Sequence, residues 1–150
     1  MHNNHHAHPG DTLVIFGATG NLAYKMIFPA LYNIFKHGHL NMNIIGVASS
    51  KYNREKLHQR ATESINQTIN IQQNKDKTLI HMLSCLDYVG GDYRDKETFN
   101  KLEKALQNAK RPVYYLAIPP ELFTTVIKNL KNQNLNKNAR IIVEKPFGRD

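Results

Sequence analysis

The sequence has a single cysteine, Cys85, and no tryptophan. A lone cysteine cannot close an internal disulfide, so a reducing compartment such as the cytoplasm fits this usage. With no partner in the sequence, Cys85 is expected to be a buried structural thiol. No window of 18 or more apolar residues occurs, which excludes a membrane-spanning helix. The N-terminus has no apolar stretch of the signal-peptide kind, so no secretory leader is expected. Net charge is +8, yet no run of five or more like charges appears, and aromatic residues do not interleave with basic ones. The basic excess therefore reads as a solvated surface or as a liking for phosphate-bearing small ligands, with neither nucleic acid nor membrane expected as a partner. His2, His5, His6 and His8 in "MHNNHHAHPGD" follow no metal-site spacing, and no metal is expected. Residues 1–11 read as a flexible His-rich tail closed by the turn signal Pro9-Gly10.

What remains is one domain, residues 12–150. A chain of this length buries roughly 68–70% of its extended surface on folding. Short apolar runs alternate with segments of helical period. Strands are expected at Thr12–Phe16, Asn43–Ala48, Leu86–Gly90, Pro112–Ile118 and Arg140–Glu144. Helices are expected at Leu22–Phe35, from an Asn53 cap to about Ile69, at Asp76–Cys85, at Asp95–Asn108 and at Glu121–Gln133. In the first helix Leu22, Met26, Ile27, Ala30, Leu31 and Ile34 are spaced to form the core face, Pro29 should kink or break it, and Gly38 ends it. Strand and helix in alternation, with unbroken apolar strands, predict an α/β fold. It is a doubly wound parallel sheet, Rossmann-like, in the order 3-2-1-4-5.

In such a sheet ligands bind outside the carboxyl ends of the strands, beside the first one. There the sequence reads "GATGNLA", Gly17 to Ala23. Gly17 permits a sharp turn, and Gly20 lets the backbone approach a pyrophosphate with no side chain between. The following helix offers unpaired N–H groups and the positive end of its dipole. The motif is G-x-x-G rather than the full G-x-G-x-x-G, and no Walker lysine accompanies it. Its position after the first strand gives it weight.

The end of the second strand bears on which dinucleotide is bound. An acid about 20 to 30 residues after the turn would grip a ribose 2′-hydroxyl and select NAD. Here "VASSKYNR" supplies Ser49, Ser50, Lys51 and Arg54 and no carboxylate before Glu55, which favours the 2′-phosphate of NADP.

Three stretches together resemble the glucose-6-phosphate dehydrogenase family: "GATGNLAYKMIFPALYNIF" from Gly17, "YYLAIPPELF" from Tyr114 and "RIIVEKPFGRD" from Arg140. The last is the most specific. The resemblance implies an NADP-dependent oxidoreductase of the pentose phosphate pathway, oxidising glucose 6-phosphate at C1 to 6-phosphogluconolactone. It implies that Gly17, Ala18, Thr19, Gly20, Asn21, Leu22 and Ala23 line the cofactor pyrophosphate, with Ser49 and Lys51 toward the adenosine end. Lys145 would face both substrate and nicotinamide, Pro146 would follow a cis peptide, and Ile118, Pro119 and Pro120 would pack near the nicotinamide half.

Two departures stand out. Asn21 replaces the family's aspartate and keeps a capping acceptor. Ser49 replaces its NADP-selecting arginine, leaving Lys51 to supply charge and the choice between NADP and NAD open. The family's catalytic histidine, its substrate-phosphate contacts and its dimer-forming domain belong to sequence beyond residue 150. No catalytic residue is therefore assigned here. His58 and His81 lie in predicted helices away from the strand carboxyl ends, and His37 and His39 read as helix-end residues. On this reading the chain is the cofactor half of the enzyme, inactive alone, with oligomers forming only through the second domain. A stand-alone nucleotide-binding or sensing module is the alternative, and a basic nucleic-acid-binding protein a third.

Overall fold

The computed structural model describes residues 10–38, 42–69 and 76–144. Five strands form one parallel sheet: β1 (Thr12–Phe16), β2 (Asn43–Ala48), β3 (Leu86–Gly90), β4 (Pro112–Leu116) and β5 (Arg140–Val143). Their order is β3-β2-β1-β4-β5, as the alternation predicts. Phe16 pairs with Val47 on one side and with Leu116 on the other, so β1 is central and its carboxyl end marks the switch point.

Side chains on a strand alternate between faces, and β1 divides accordingly. Ile15 joins Ile44 and Leu86 under the first helical layer, α1 (Phe28–Gly38), α2 (Arg54–Thr68) and α3 (Lys77–Ser84). Val14 and Phe16 join Ile45, Val47, Tyr114 and Leu116 under the second, α4 (Lys96–Leu106) and α5 (Phe123–Asn132). Asn53 caps α2 by accepting from the Lys56 amide at 2.8 Å, and Asp76 caps α3 by accepting from that of Leu79 at 2.8 Å. Before α5 a 3₁₀ turn, Pro120–Leu122, takes up the paired prolines.

Pro29 does not break the first helix. A π turn, Ala23–Ile27, leads directly into α1, with the Phe28 amide donating to the Ala23 carbonyl five residues back. In a regular α-helix the Pro29 ring would meet the Lys25 carbonyl, and the widened turn relieves that collision. The extra residue also rotates the helix beyond it, which corrects the expected core face. Ala23, Ile27, Phe28, Leu31, Tyr32 and Phe35 are buried, whereas Met26 and Ile34 are 58% and 47% exposed and Ala30 also faces outward. Cys85 is likewise corrected. It is half-buried at the end of α3, packed against the first core and 4.0 Å from the Ser84 hydroxyl.

Residues 1–9 of the expected tail lie outside the described residues. Asp11 is tied to the fold, its carboxylate accepting from the Lys110 amide at 2.6 Å and the Arg111 amide at 3.2 Å. On the far side of the sheet β5 pairs only with β4 among the described strands, and Ile141, Ile142 and Val143 are exposed. No helix among the described residues is long and apolar enough to cross a membrane.

Candidate functional site

The chain leaves β1 at Gly17 with a φ of +84°, in the left-handed region that favours glycine. A Cβ there would lie 2.1 Å from the Ala117 carbonyl oxygen. The turn is wedged between its neighbours: the Gly17 and Ala18 amides donate to the Val47 carbonyl at 2.9 and 3.3 Å, and the Ala117 amide donates to that of Phe16 at 2.9 Å. Ala18 is buried against Gly46, where a Cβ would approach it to 2.8 Å.

Gly20 is held differently. Its amide donates to the Gly17 carbonyl at 3.0 Å, and its carbonyl accepts the first helical bond, from Tyr24, at 3.1 Å. Gly20 is therefore the N-cap and Asn21 the first helical residue, so Asn21 does not cap the helix as expected but points an exposed side chain from its first turn. A Cβ on Gly20 would meet only the Gly17 carbonyl oxygen, at 3.4 Å. Nothing in the packing of the described residues fills that side. The amides of Thr19, Asn21 and Leu22 donate to no acceptor among the described residues. The site is thus an open backbone face with several free donors at a helix N-terminus, suited to an anion.

Two residues at this turn have no counterpart in the sequence reading. The Tyr93 hydroxyl accepts from the Gly17 amide at 2.7 Å and donates to the Val47 carbonyl at 3.0 Å. Its ring stands edge-on to Phe16, with centroids 5.7 Å apart, and Asn129 of α5 donates to its carbonyl at 2.8 Å. Burial pushes the Tyr93 phenol up to about 12, against the opposing pull of the Gly17 bond. Arg60, from α2, lies over the Tyr24 ring at 4.7 Å and reaches the Gly20 carbonyl at 3.4 Å, its Nε buried with no hydrogen-bond partner among the described residues. These contacts join residues at least 36 positions apart, which no local pattern reveals.

At the end of β2, the Ser49 hydroxyl accepts from the Lys51 amide at 3.2 Å, and the Ser49 carbonyl accepts from the Tyr52 amide and the Tyr88 hydroxyl. Ser49 and Ser50 line a cavity of about 430 Å³ together with Gly91, Asp92, Tyr93, Arg94 and Leu122. Lys51 is exposed, has no side-chain partner among the described residues and is not part of that wall. Asp92 and Arg94 pair at 3.0 Å, and the hydrogen bonds from Arg94 hold the Asp92 carboxyl below its ordinary value. A larger cleft, about 590 Å³, surrounds Arg111 and Pro112 at the amino end of β4, away from the glycine turn.

The histidines of α2 and α3 are engaged elsewhere. His58 Nε2 is 2.7 Å from the Leu86 carbonyl at the amino end of β3, and His81 packs edge-on against Phe35. His37 lies in the last turn of α1. Ile118 packs against the second core, with Pro119 and Pro120 exposed. His39, Lys145 and Pro146 lie outside the described residues.

This geometry has close relatives. The family model described as glucose-6-phosphate dehydrogenase, NAD binding domain, matches residues 14–150. A glucose-6-phosphate 1-dehydrogenase of Mycobacterium bovis is 43% identical over 140 residues, 93% of this chain and 29% of the relative. The crystal structure of glucose-6-phosphate 1-dehydrogenase from Mycobacterium avium superposes with a TM-score of 0.85 at 40% identity, covering 95% of this chain and 31% of that one. A glucose-6-phosphate dehydrogenase in complex with its substrate glucose-6-phosphate superposes at 0.76 with 33% identity, covering 94% and 31%. The chain thus spans about three tenths of the length of these relatives. With the switch-point glycine turn in place and the family model matched from β1 onward, the chain belongs to the glucose-6-phosphate dehydrogenase family and corresponds to its N-terminal dinucleotide-binding domain.

Proposed function

We propose that the turn from Gly17 to Ala23 binds the diphosphate of NADP, and that the chain is the cofactor half of an enzyme oxidising glucose 6-phosphate to 6-phosphogluconolactone. The observation that carries this reading is the open side of Gly20. Gly17 is required by the chain's own backbone, whereas Gly20 adopts no left-handed conformation and would meet only one atom if it bore a Cβ. A glycine that the fold does not demand, beside free amides at a helix N-terminus, suits close approach by a phosphate.

In this reading Thr19, Asn21 and Leu22 donate backbone hydrogens to the diphosphate, and Ser49 and Lys51 stand toward the adenosine ribose. The buried Tyr93 hydroxyl holds the turn in shape. The nicotinamide, when bound, supplies the hydride acceptor. Lys145 would bind sugar or phosphate oxygens near the hydride path, a role that follows from the family resemblance. No general base is assigned within residues 1–150, so the chain alone binds cofactor weakly and turns over nothing. Catalysis in the pentose phosphate pathway, and the specific homo-oligomer of the enzyme, would belong to a chain carrying the family's second domain. The single half-buried thiol accords with a reducing cytoplasm.

Calorimetric titration with NADP, for wild type and Gly20→Thr, tests this. Threonine is a competent N-cap, so the melting midpoint should stay close to wild type while affinity falls at least about tenfold. Undiminished binding by Gly20→Thr would refute the diphosphate assignment. Hexose-phosphate oxidation by the purified 150-residue chain would refute the assignment of the base elsewhere.

A further inference from the structure

Where β2 and β3 end, the cavity wall holds two serines and one charged pair: Ser49 and Ser50, Asp92 and Arg94. The two strand ends touch. The Gly91 amide donates to the Ala48 carbonyl at 2.8 Å, and a Cβ on Gly90 would stand 3.1 Å from the Ser50 Cα. The loop beginning at Gly91 therefore reaches the region where a doubly wound sheet reads the adenosine ribose. Lys51, the cation nearest in sequence, does not line that wall.

We propose that Arg94 selects a 2′-phosphate over a 2′-hydroxyl at this position, and that Asp92 sets how strongly it does so. The proposal rests on the dinucleotide reading of the glycine turn. Arg94 Nε and Nη2 donate to the two Asp92 carboxylate oxygens at 3.1 and 3.0 Å, and the Arg94 amide donates to one of them at 2.8 Å. A guanidinium has five N–H donors, so the Nη1 pair is left without a partner among the described residues. Those donors and the serine hydroxyls can share a phosphate dianion while Asp92 keeps the arginine oriented.

The pair is close to neutral, so its preference for the dianion is moderate. That has a consequence of definite sign. Without Arg94, the Asp92 carboxylate alone faces the 2′-position, where it repels a phosphate and accepts from a hydroxyl. Without the Asp92 charge, the Arg94 cation acts unopposed. Both side chains are exposed, Arg94 more than Asp92, so neither change should disturb the fold.

The test is calorimetric titration of the 150-residue chain with NADP and with NAD, for wild type, Arg94→Gln, Arg94→Lys, Asp92→Asn and Lys51→Ala, each checked by thermal melting. Arg94→Gln should lose roughly tenfold to a hundredfold in NADP affinity with NAD affinity equal or raised. Arg94→Lys should keep part of the preference, and Asp92→Asn should bind NADP more tightly than wild type. Equal loss of both cofactors in Arg94→Gln, or no change in either, would overturn the proposal. So would an NADP preference lost in Lys51→Ala and kept in Arg94→Gln. If folded wild type binds neither cofactor, the dinucleotide reading fails first and this selectivity falls with it.

Discussion

The Tyr93 hydroxyl is acceptor and donor at once, taking the Gly17 amide and giving to the Val47 carbonyl. It can do both only while protonated, and burial raises its phenol to about 12 from an ordinary value near 10. A group whose folded-state value is raised contributes stability that is complete below the unfolded value and is lost as pH climbs through the folded one. The window here runs from about pH 10 to about pH 12, and two units correspond to about 2–3 kcal/mol. Urea denaturation at pH 8, 10 and 11.5 should therefore show stability falling in this interval, and falling less steeply in Tyr93→Phe. Tyr32, Tyr88 and Tyr115, also raised to about 12, and Tyr114, which burial raises further, supply the slope that remains. Identical slopes for the two proteins would mean that Tyr93 does not titrate as its setting demands. The sequence made Gly17 legible because a sharp turn after an apolar run has a local signature. Tyr93 had none, being 76 residues away from the amide it holds. The only hint was its place just after the third strand, where carboxyl-end loops converge.

At the level of elements, strand positions were readable within two residues because each strand is a short apolar run bounded by a turn signal. The first helix shows why its phase was not. Projecting its side chains at 3.6 residues per turn assumes an unbroken α-helix, and the π turn at Ala23–Ile27 violates that assumption before the helix is two turns old. Pro29 was the visible warning, but a proline can be met by a break, a kink or a wider turn, and tertiary packing decides among them. The re-phasing has a sharp energetic test. Phe28, outside the projected stripe, is fully buried, while Met26, within it, is 58% exposed. Phe28→Ala should cost about 3–5 kcal/mol in urea denaturation and Met26→Ala no more than about 0.5 kcal/mol. The opposite ranking would restore the straight-helix projection.

For the molecule as a whole, the sheet order followed from alternation and handedness alone, but its coverage did not. Parallel strands are ordinarily buried on both faces, and β5 is not: Ile141, Ile142 and Val143 are each at least 39% exposed, on a strand paired only with β4 among the described residues. Such an edge offers both apolar surface and backbone groups to a second copy. Opposing this is the net charge of +8, which keeps copies apart at low ionic strength. Salt removes that opposition, since the screening length shrinks from about 30 Å at 0.01 M to about 8 Å at 0.15 M, while burial of apolar surface is left intact. Self-association of the 150-residue chain should therefore increase with salt, the reverse of what an ion-paired contact would do. Ile141 and Val143 share one face of the strand, so replacing both by lysine adds charge and removes apolar area together. Sedimentation velocity across a salt series should find the double variant monomeric where wild type forms larger species, with the thermal melt of the domain retained. Association that is insensitive to the two lysines, or that weakens as salt is added, would place the contact on some other surface.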